Sequence, residues 1–508
     1  MICIRQEPGQ REVQKSDNLF LLYACIDHYK YKGKPLYITA YDYEQAFDSL
    51  WLQDCIMSMM RLGIPVDILH LVYLLNKKAA IVVKTPFGMT EASYIEDIVE
   101  QGTVLGPNLC SVTTAEYCGI NKGIAVGDAV VSSLLFVDDD LDVNGTTEDA
   151  VCSHENAILF ARMKKIGHSK KKCKTMVMNG KKTDIPPDLY IEESKVDSAA
   201  VIAYLGDLIN NKGTNADLIT DRHQRGVTAM IKIEALVRET GLGIHTVNVH
   251  LLLYQSLFLS CVLFNSQVWR NLSEKEINKL ESLQRRCLRK IFNAPHSTSR
   301  SFVYLEFGAV PIRYIIQQNQ LMFLHHIVHL KDDDPVKQMW ENMKFLSRES
   351  NWWSSIRRIL EEYEVGLEEV KNSSRESFKA LIKRKISDTA LKELTKDCTE
   401  KTKTSSLHYT ALKPQDYLSH LYPKQARIIF QCRSKTLDIK VHRSYKFNDR
   451  VCRKCGIDEE TIQHITNCGR DEVVDTSFMT ELGDITYPTK VNLSIVAERI
   501  STFLEEVR

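Results

Sequence analysis

Two short apolar runs that each end in aspartate constrain this chain more than any other feature. LYITAYD (Leu36 to Asp42) and SSLLFVDDD (Ser132 to Asp140) read as strands up to their last residues, and then carry acids. Carboxylates at strand ends pack poorly and repel one another. Gathering Asp42, Asp138 and Asp139 in one place is unfavourable unless a divalent cation neutralises them. Hard oxygen donors of this kind suit Mg²⁺, which takes one or two carboxylates together with substrate phosphates. Two such ions about 3.5–4 Å apart clamp an in-line phosphoryl displacement. The plain alternative is that DDD is a surface turn and Asp42 a helix N-cap.

Around these runs, strand and helix signals alternate. AAIVVKT (Ala79 to Thr85) reads as a third strand, and Leu50 to Leu62 and Ala150 to Lys165 read as helices. That alternation predicts a mixed α/β domain over roughly residues 36–206. Beyond Gly213 the texture becomes helical. SEKEINKLESLQRRCLRKIF opens on Ser273 and Glu276, a capping-box pair, and carries Ile277, Leu280, Leu283, Cys287 and Ile291 as an apolar stripe. Arg285, Arg286, Arg289 and Lys290 crowd its last turns, where cations suit the helix dipole. Leu251 to Phe264 is expected to be a buried helix, since it falls short of the ~20 apolar residues a membrane span needs.

Composition excludes several classes. With 44% hydrophobic and 26% charged residues, the chain is neither disordered nor collagen-like. Its 14 cysteines are mostly scattered, which suits a reducing compartment. MICIRQEPGQREVQKSD has no apolar core of a cleaved signal peptide. The net charge of +1 gives no whole-chain field, but charge is segregated locally. Lys401 to Lys454 holds 13 Lys/Arg against 3 Asp/Glu, and Arg162 to Lys182 holds nine Lys/Arg and no acid. Such runs bind polyanions through counterion release, or are solvated faces. Phe430, Tyr445 and Phe447 interleave with the C-terminal run, either as stacking platforms for bases or as core aromatics.

One cysteine group is spaced for metal. CRKCGIDEETIQHITNC places Cys452, Cys455, His464 and Cys468 as C-x₂-C-x₈-H-x₃-C. Three thiolates and one imidazole satisfy tetrahedral Zn²⁺, and four protein ligands make the site structural. IDEETIQHI is expected to be a short helix presenting His464, then Cys468, on one face. His325 and His326 are adjacent on a helix, so they do not face one metal together.

YDYEQAFDSL, VEQGTVLGPNLCSV, LLFVDDDLDV, KKIGHSKKKCKTMV and AYLGDLIN, in that order, resemble the motif series of reverse transcriptases, in particular those of non-LTR (LINE-type) retrotransposons. The resemblance implies an α+β chain: a right-hand polymerase palm, with an antiparallel sheet and helices, followed by an all-α thumb and connector and a small zinc module. The implied segments are 1–35 as a remnant of the fingers, 36–212 as palm, 213–300 as thumb, 301–420 as connector, and 421–508 as basic segment and zinc module. It implies an RNA-directed DNA polymerase, a nucleotidyltransferase that extends a primer 3′-hydroxyl with dNTPs. Its partners would be RNA template and DNA primer or target, with no membrane.

Carried over motif by motif, Asp42, Asp138 and Asp139 become the catalytic ligands of two Mg²⁺ ions, and Cys452, Cys455, His464 and Cys468 the ligands of one Zn²⁺. Phe47 becomes the aromatic gate against a 2′-hydroxyl. Gln101 contacts nucleotide or template, Gly102 lets backbone approach the nucleotide, and Lys172 neutralises departing pyrophosphate. Tyr204-Leu205-Gly206 becomes the primer-side hairpin. Such an element acts inside the cell, with the nucleus one destination. Three departures stand out: a short N-terminal segment, Glu100 where a basic residue is usual, and Asp140 extending the acid pair. They point to a second reading, a catalytically inactive retroelement remnant that binds RNA or DNA through its basic segment and zinc module.

Overall fold

The computed structural model describes residues 14–44, 49–96, 99, 105–117, 119–239, 243–345, 351–474, 476 and 490–507. The chain divides into two compact units. The first comprises Met1–Leu218, Val268–Asn271 and Phe323–Glu361; the second comprises Ile219–Gln267, Leu272–Met322 and Glu362–Arg508. The segment 301–420 therefore contributes to both.

In the first unit, helix α1 (Lys15–Lys32) leads into strand β1 (Leu36–Glu44), followed by helices α2 (Leu52–Arg61), α3 (Val66–Asn76) and α4 (Gly106–Thr114). Strands β2 (Ser133–Phe136) and β3 (Asp139–Asn144), helix α5 (Thr147–Met163), and strands β4 (Gly167–His168), β5 (Lys174–Met178) and β6 (Asp197–Ser198) come next. The six strands form one sheet in the order β6-β5-β1-β3-β2, with β4 paired to the end of β1. All pairings are antiparallel except β5 with β6. β1 is central, and its tyrosines and β-branched residues suit a strand covered on both faces.

The middle of α1, Leu19 to Ile26, is apolar all round, with Leu19, Phe20, Leu21, Leu22, Cys25 and Ile26 each at most 1% exposed. A helix without a polar face has to be enclosed. Phe20 meets Phe323 at 5.6 Å and Trp352 at 5.2 Å, both edge-on, so helix segments late in the chain help to enclose it. Asp17 accepts from the Gln14 N–H (3.0 Å) and lies 3.2 Å from His326 Nε2, which ties the helix start to the same late segment. Gly33, at φ 64°, ends the helix in the left-handed conformation that glycine takes without penalty.

The run read as one strand ending in acids is a hairpin. It breaks at Val137-Asp138, and the acids continue into β3. AAIVVKT likewise splits between two short hairpins, Lys78–Ile81 with Ser93–Glu96 and Lys84–Thr85 with Gly88–Met89.

The second unit is helical: most of α6 (Ala216–Glu239), then α7 (Glu274–Lys290), α8 (Arg300–Phe307), α9 (Arg375–Thr399), α10 (Pro423–Arg433), α11 (Ile462–Asn467) and α12 (Lys490–Glu506). The capping box forms as expected, with Ser273 N–H donating to Glu276 (2.8 Å) and Glu276 N–H to Ser273 (3.3 Å). At Gly226 a Cβ would stand 2.6 Å from the Val262 side chain and 2.7 Å from that of Leu283, so any larger residue would have to displace them. Residues 251–262 are helical but only half-buried, with Leu252 and Leu257 exposed on them and Phe264 exposed in the turn that follows, rather than a buried helix to Phe264. No helix among the described residues is long and apolar enough to cross a membrane.

One buried ion pair anchors this unit. Glu306 and Arg433 are both 0% exposed and meet at 2.7 Å. Tyr417 (2.6 Å) and Tyr409 (2.7 Å) also donate to the Glu306 carboxylate. Removing one partner leaves a buried charge uncompensated. Glu306→Ala is therefore expected to destabilise the unit by ~3–5 kcal/mol in urea unfolding, with Glu306→Leu/Arg433→Met recovering part of the loss.

Candidate active site and metal cluster

The register of β1 against β3 sets the site. Asp42 lies directly opposite Asp139, and Phe136 pairs with Asp139 on the other side. Directly opposed residues of an antiparallel pair share a face, with Cβ atoms about 4.5–5.5 Å apart. Asp42 and Asp139 therefore present their carboxylates side by side, and Asp138 sits at the adjoining turn. Asp138 and Asp139 are exposed and Asp42 is half-buried.

Alternation sends Asp140 to the opposite face. It is 1% exposed, opposite Tyr41, and accepts from the Tyr43 hydroxyl at 3.3 Å. A ligand pair of Asp139 and Asp140 is incompatible with this strand. The extra acid belongs to a buried polar layer beneath the sheet. There Tyr41 meets His154 (3.1 Å), Tyr43 stacks on His168 (4.9 Å), and Asp142 accepts from Tyr117 (2.6 Å), Ser133 (2.5 Å) and Asn121 (3.3 Å). Burial pushes the Asp142 carboxyl up to about 7, against those hydrogen bonds, and the His168 imidazole down to about 4. This layer was not read from the sequence.

The turn between β2 and β3 is strained. Val137 has φ 60°, a left-handed conformation that β-branched residues rarely take. Two-residue hairpins need such angles, and α4 holds the turn: Thr114 donates to the Val137 carbonyl at 3.4 Å and Cys110 at 3.6 Å. Behind β2, the Tyr204 hydroxyl donates to the Leu134 carbonyl (2.8 Å) and Asn18 to the Leu135 carbonyl (2.8 Å). Tyr204 stands at a hairpin, Val201–Tyr204 against Asp207–Asn210, whose turn uses Leu205 (φ 46°) and Gly206 (φ 87°). The YLG motif thus supports β2, the strand that leads into the acid-bearing turn.

Lys172 reaches the site by a route the sequence did not suggest. Ser169 N–H donates to the Asp42 carbonyl at 2.8 Å, which brings its loop alongside and leaves Lys172 Nζ 3.1 Å from the Asp42 carboxylate. Partial burial, then the charges of Asp138 and Asp42, push the Asp139 carboxyl above its ordinary range, with Lys15 opposing. Phe47, Gln101 and Gly102, together with Glu100, lie outside the described residues.

The C-terminal ligand set comes together. One ligand atom from each of Cys452, Cys455, His464 and Cys468 lies within 4.8 Å of all the others. Cys452 and Cys468 sulfurs are 3.9 Å apart, and Cys455 sulfur is 3.3 Å from His464 Nε2. A tetrahedron with Zn–S bonds of ~2.3 Å has S···S edges of about 3.8 Å, so the spacing fits this ion. The local chain explains the arrangement: Gly456 (φ 71°) closes a turn back onto the Cys452 carbonyl (3.0 Å). Thr461 caps α11 by accepting from His464 N–H at 3.2 Å. The helix thus begins at Ile462, later than expected, because Glu459 bridges to Val451. His464 Nδ1 lies 3.5 Å from Asp458, the outer contact that orients a ligating imidazole. Backbone N–H groups of Asp458 and Ile457 draw the Cys455 thiol down to about 6.

Of the interleaved aromatics, Phe430 is core, stacked 5.5 Å from Phe307. Tyr445 is 69% exposed, and Phe447 lies between Lys440 (5.9 Å) and Arg453 (5.3 Å). His325 is buried and stacks on His329 (4.1 Å), apart from the Asp17 contact of His326.

A carboxyl raised in the folded state weakens folding once it ionises. That deficit is absent at low pH and grows as pH rises through the folded value. Asp139→Asn is therefore expected to melt higher than the parent at pH 7, with the difference closing toward pH 3. Identical melting at pH 7 would remove the electrostatic account of the site.

Residues 5–208 match the family model for reverse transcriptase (RNA-dependent DNA polymerase). No curated protein matches the chain in sequence. Solved structures similar to part of it include an apo telomerase from Candida tropicalis truncated from its C-terminal domain (14% identity, 40% of this chain and 39% of that one, TM-score 0.30). Telomerase from Candida albicans in complex with a TWJ fragment of telomeric RNA is 12% identical over 56% of this chain and 52% of that one (TM-score 0.27). Apo telomerase from Candida tropicalis is 12% identical over 69% and 57% (TM-score 0.33). The chain thus spans 39% to 57% of the length of these telomerases. The matched stretch falls within the first compact unit, so the chain is reverse-transcriptase-like and carries a domain of the RNA-directed DNA polymerase class.

Proposed function

We propose that this chain is the RNA-directed DNA polymerase of a non-LTR retrotransposon, extending a DNA primer on an RNA template. The observation that carries the reading is the Asp42–Asp139 register with Asp138 at the adjoining turn. The backbone positions of Asp42 and Asp139 face one another and Asp138 adjoins them in the turn, while Asp140 is withdrawn into the buried layer. Asp42, Asp138 and Asp139 would hold two Mg²⁺. Bound Mg²⁺ supplies neutralising charge and stabilises the attacking and leaving oxygens of phosphoryl transfer.

The chain's own groups position the reactants. The strained turn fixes Asp138 against Asp139. Lys172, an exposed cation against Asp42, is placed to hold the Asp42 carboxylate and to donate to a phosphate that arrives there. The motif match supports Phe47 as the gate against a 2′-hydroxyl, Gln101 as a contact to nucleotide or template, and Gly102 as the point of close backbone approach.

The retrotransposon assignment rests on the C-terminal half. A Cys₃His cluster with Zn²⁺ spacing follows a basic segment, and Glu460 joins the two: it accepts from Arg453 (2.7 Å) and from the Lys440 N–H (3.0 Å). Four ligands close the site, so Zn²⁺ there is structural, and the segment around Tyr445 is available for nucleic acid.

Primer extension on poly(rA) with dTTP and Mg²⁺, run beside Asp138→Ala, tests the polymerase. The parent is expected to synthesise and the variant to lose at least ~10²-fold, as removal of a central electrostatic group does. RNA binding without synthesis by either protein would favour the inactive binding protein instead. For the metal cluster, Cys455→Ser is expected to lower bound zinc from about one equivalent to none, with the C-terminal segment becoming protease-sensitive. Retained zinc would refute the ligand set.

A further inference from the structure

The second unit contains a cavity of about 340 Å³ at the C-terminal end of α7, lined by His223, Arg286, Arg289, Lys290, Asn293 and His296 among others. Among the described residues, no carboxylate lines it. Three elements converge there: α6 supplies His223, α7 the three cations, and the 291–298 turn Asn293 and His296. We propose that this cavity is a binding site for a terminal phosphate monoester, such as that of a mononucleotide or a phosphorylated strand end.

The helix dipole accounts for cations in the last turn of α7. It does not account for the histidines brought in from α6 and the following turn. The cations also differ in what occupies them. Arg285 pairs with Glu281 (3.6 Å) and lies off the cavity, and Lys290 meets Glu234 at 3.2 Å. Arg286 has no ion pair among the described residues. Arg289 donates through Nη2 to the Thr298 carbonyl (3.0 Å), while its buried Nε has no acceptor.

The electrostatics agree. Burial, then Arg285 and Arg300, lower the Arg289 guanidinium below its ordinary range; burial, then Lys279 and Arg286, lower His223. Burial is the larger cause of both shifts, and the neighbouring cations act in the same direction. Guanidinium forks match phosphate geometry. The volume lies at the small end of ligand pockets, about 300–1,000 Å³, which suits a nucleotide-sized group better than a continuous duplex. Leu283 and Ala294 give it an apolar wall.

The site stands independently of the polymerase reading, and its test avoids the acid cluster. Equilibrium dialysis of the full chain without added divalent cation, using labelled dTMP, 5′-phosphorylated oligo(dT) and 5′-hydroxyl oligo(dT), measures it directly. dTMP or the phosphorylated strand is expected to bind in preference to the hydroxyl strand, and to keep binding in Asp139→Ala. Arg286→Glu is expected to weaken that binding at least about tenfold. His296→Glu, at an exposed position, should weaken it in the same direction and serves if the arginine variant misfolds. Binding of dTMP identifies a free nucleotide as sufficient, and binding of the phosphorylated strand alone identifies a strand end. Failure of every probe to bind, equal binding of both strands, or unchanged affinity in both variants would overturn the proposal.

Discussion

Everything at the candidate active site depends on β1 pairing with β3 in one register. A slip of one residue would send Asp42 to the buried face and bring Tyr41 opposite Asp139. The hydrogen bonds of the ladder alone do not forbid that slip, because every register makes them. The buried layer beneath the sheet does. Tyr41 of β1 meets His154 and Tyr43 of β1 meets Asp140, and both contacts are made only in this register. A one-residue slip would carry Tyr41 and Tyr43 off that face and leave His154 and Asp140 buried without them, each at a loss of ~1–3 kcal/mol. The polar underside is thus what aims the acids on the upper side. Asp140, which looked like a departure from the motif, belongs to that underside.

The legible parts were those whose signal is local. The strand LYITAYD, the Ser273 capping box and the cysteine spacing each follow from a few neighbouring residues, and each stands where expected. What escaped needed partners far away or ran against propensity. No rule of composition places a β-branched valine at φ 60°, so the hairpin at Val137 read as a strand end. α1 carries no periodic stripe because it is enclosed on all sides, and its enclosing aromatics lie some 300 residues on, as the Phe20–Phe323 contact shows. Glu306 and Arg433 are 127 positions apart, and neither has a neighbour that announces a buried pair. Lys172 was legible as a site residue, but its position against Asp42 follows from the Ser169 backbone contact, which sequence does not encode locally.

The two candidate metal centres obey opposite logics. Cys452, Cys455, His464 and Cys468 form a closed set on a turn and a capped helix, with Asp458 and Glu460 fixing the outer layer, so the cluster can stabilise its module but offers no position for a substrate. The aspartates adjoin a strained turn at Val137 with their charges in conflict, and Mg²⁺ held there as proposed would keep coordination positions for phosphate. Stability is given up at one and gathered at the other. That contrast is physically consistent with a catalytic edge in the first unit and a structural clasp in the second.

Charge runs in the sequence overstate the field they make. Within Arg162 to Lys182, Lys164 meets Glu116 at 2.6 Å, Lys170 meets Glu192 at 2.5 Å and Lys172 meets Asp42. Within the C-terminal run, Lys440 meets Asp449 at 2.6 Å and Arg453 meets Glu460 at 2.7 Å. Each pairing brings in an acid from outside the count or from its sparse minority, so much of the basic excess is spent on holding the fold together. The end of α7 carries a shorter run in which Lys290 and Arg285 are paired, yet Arg286 faces the cavity with no ion pair among the described residues. Local neutralisation, rather than the number of lysines and arginines in a row, therefore decides where this chain presents positive charge to a phosphate.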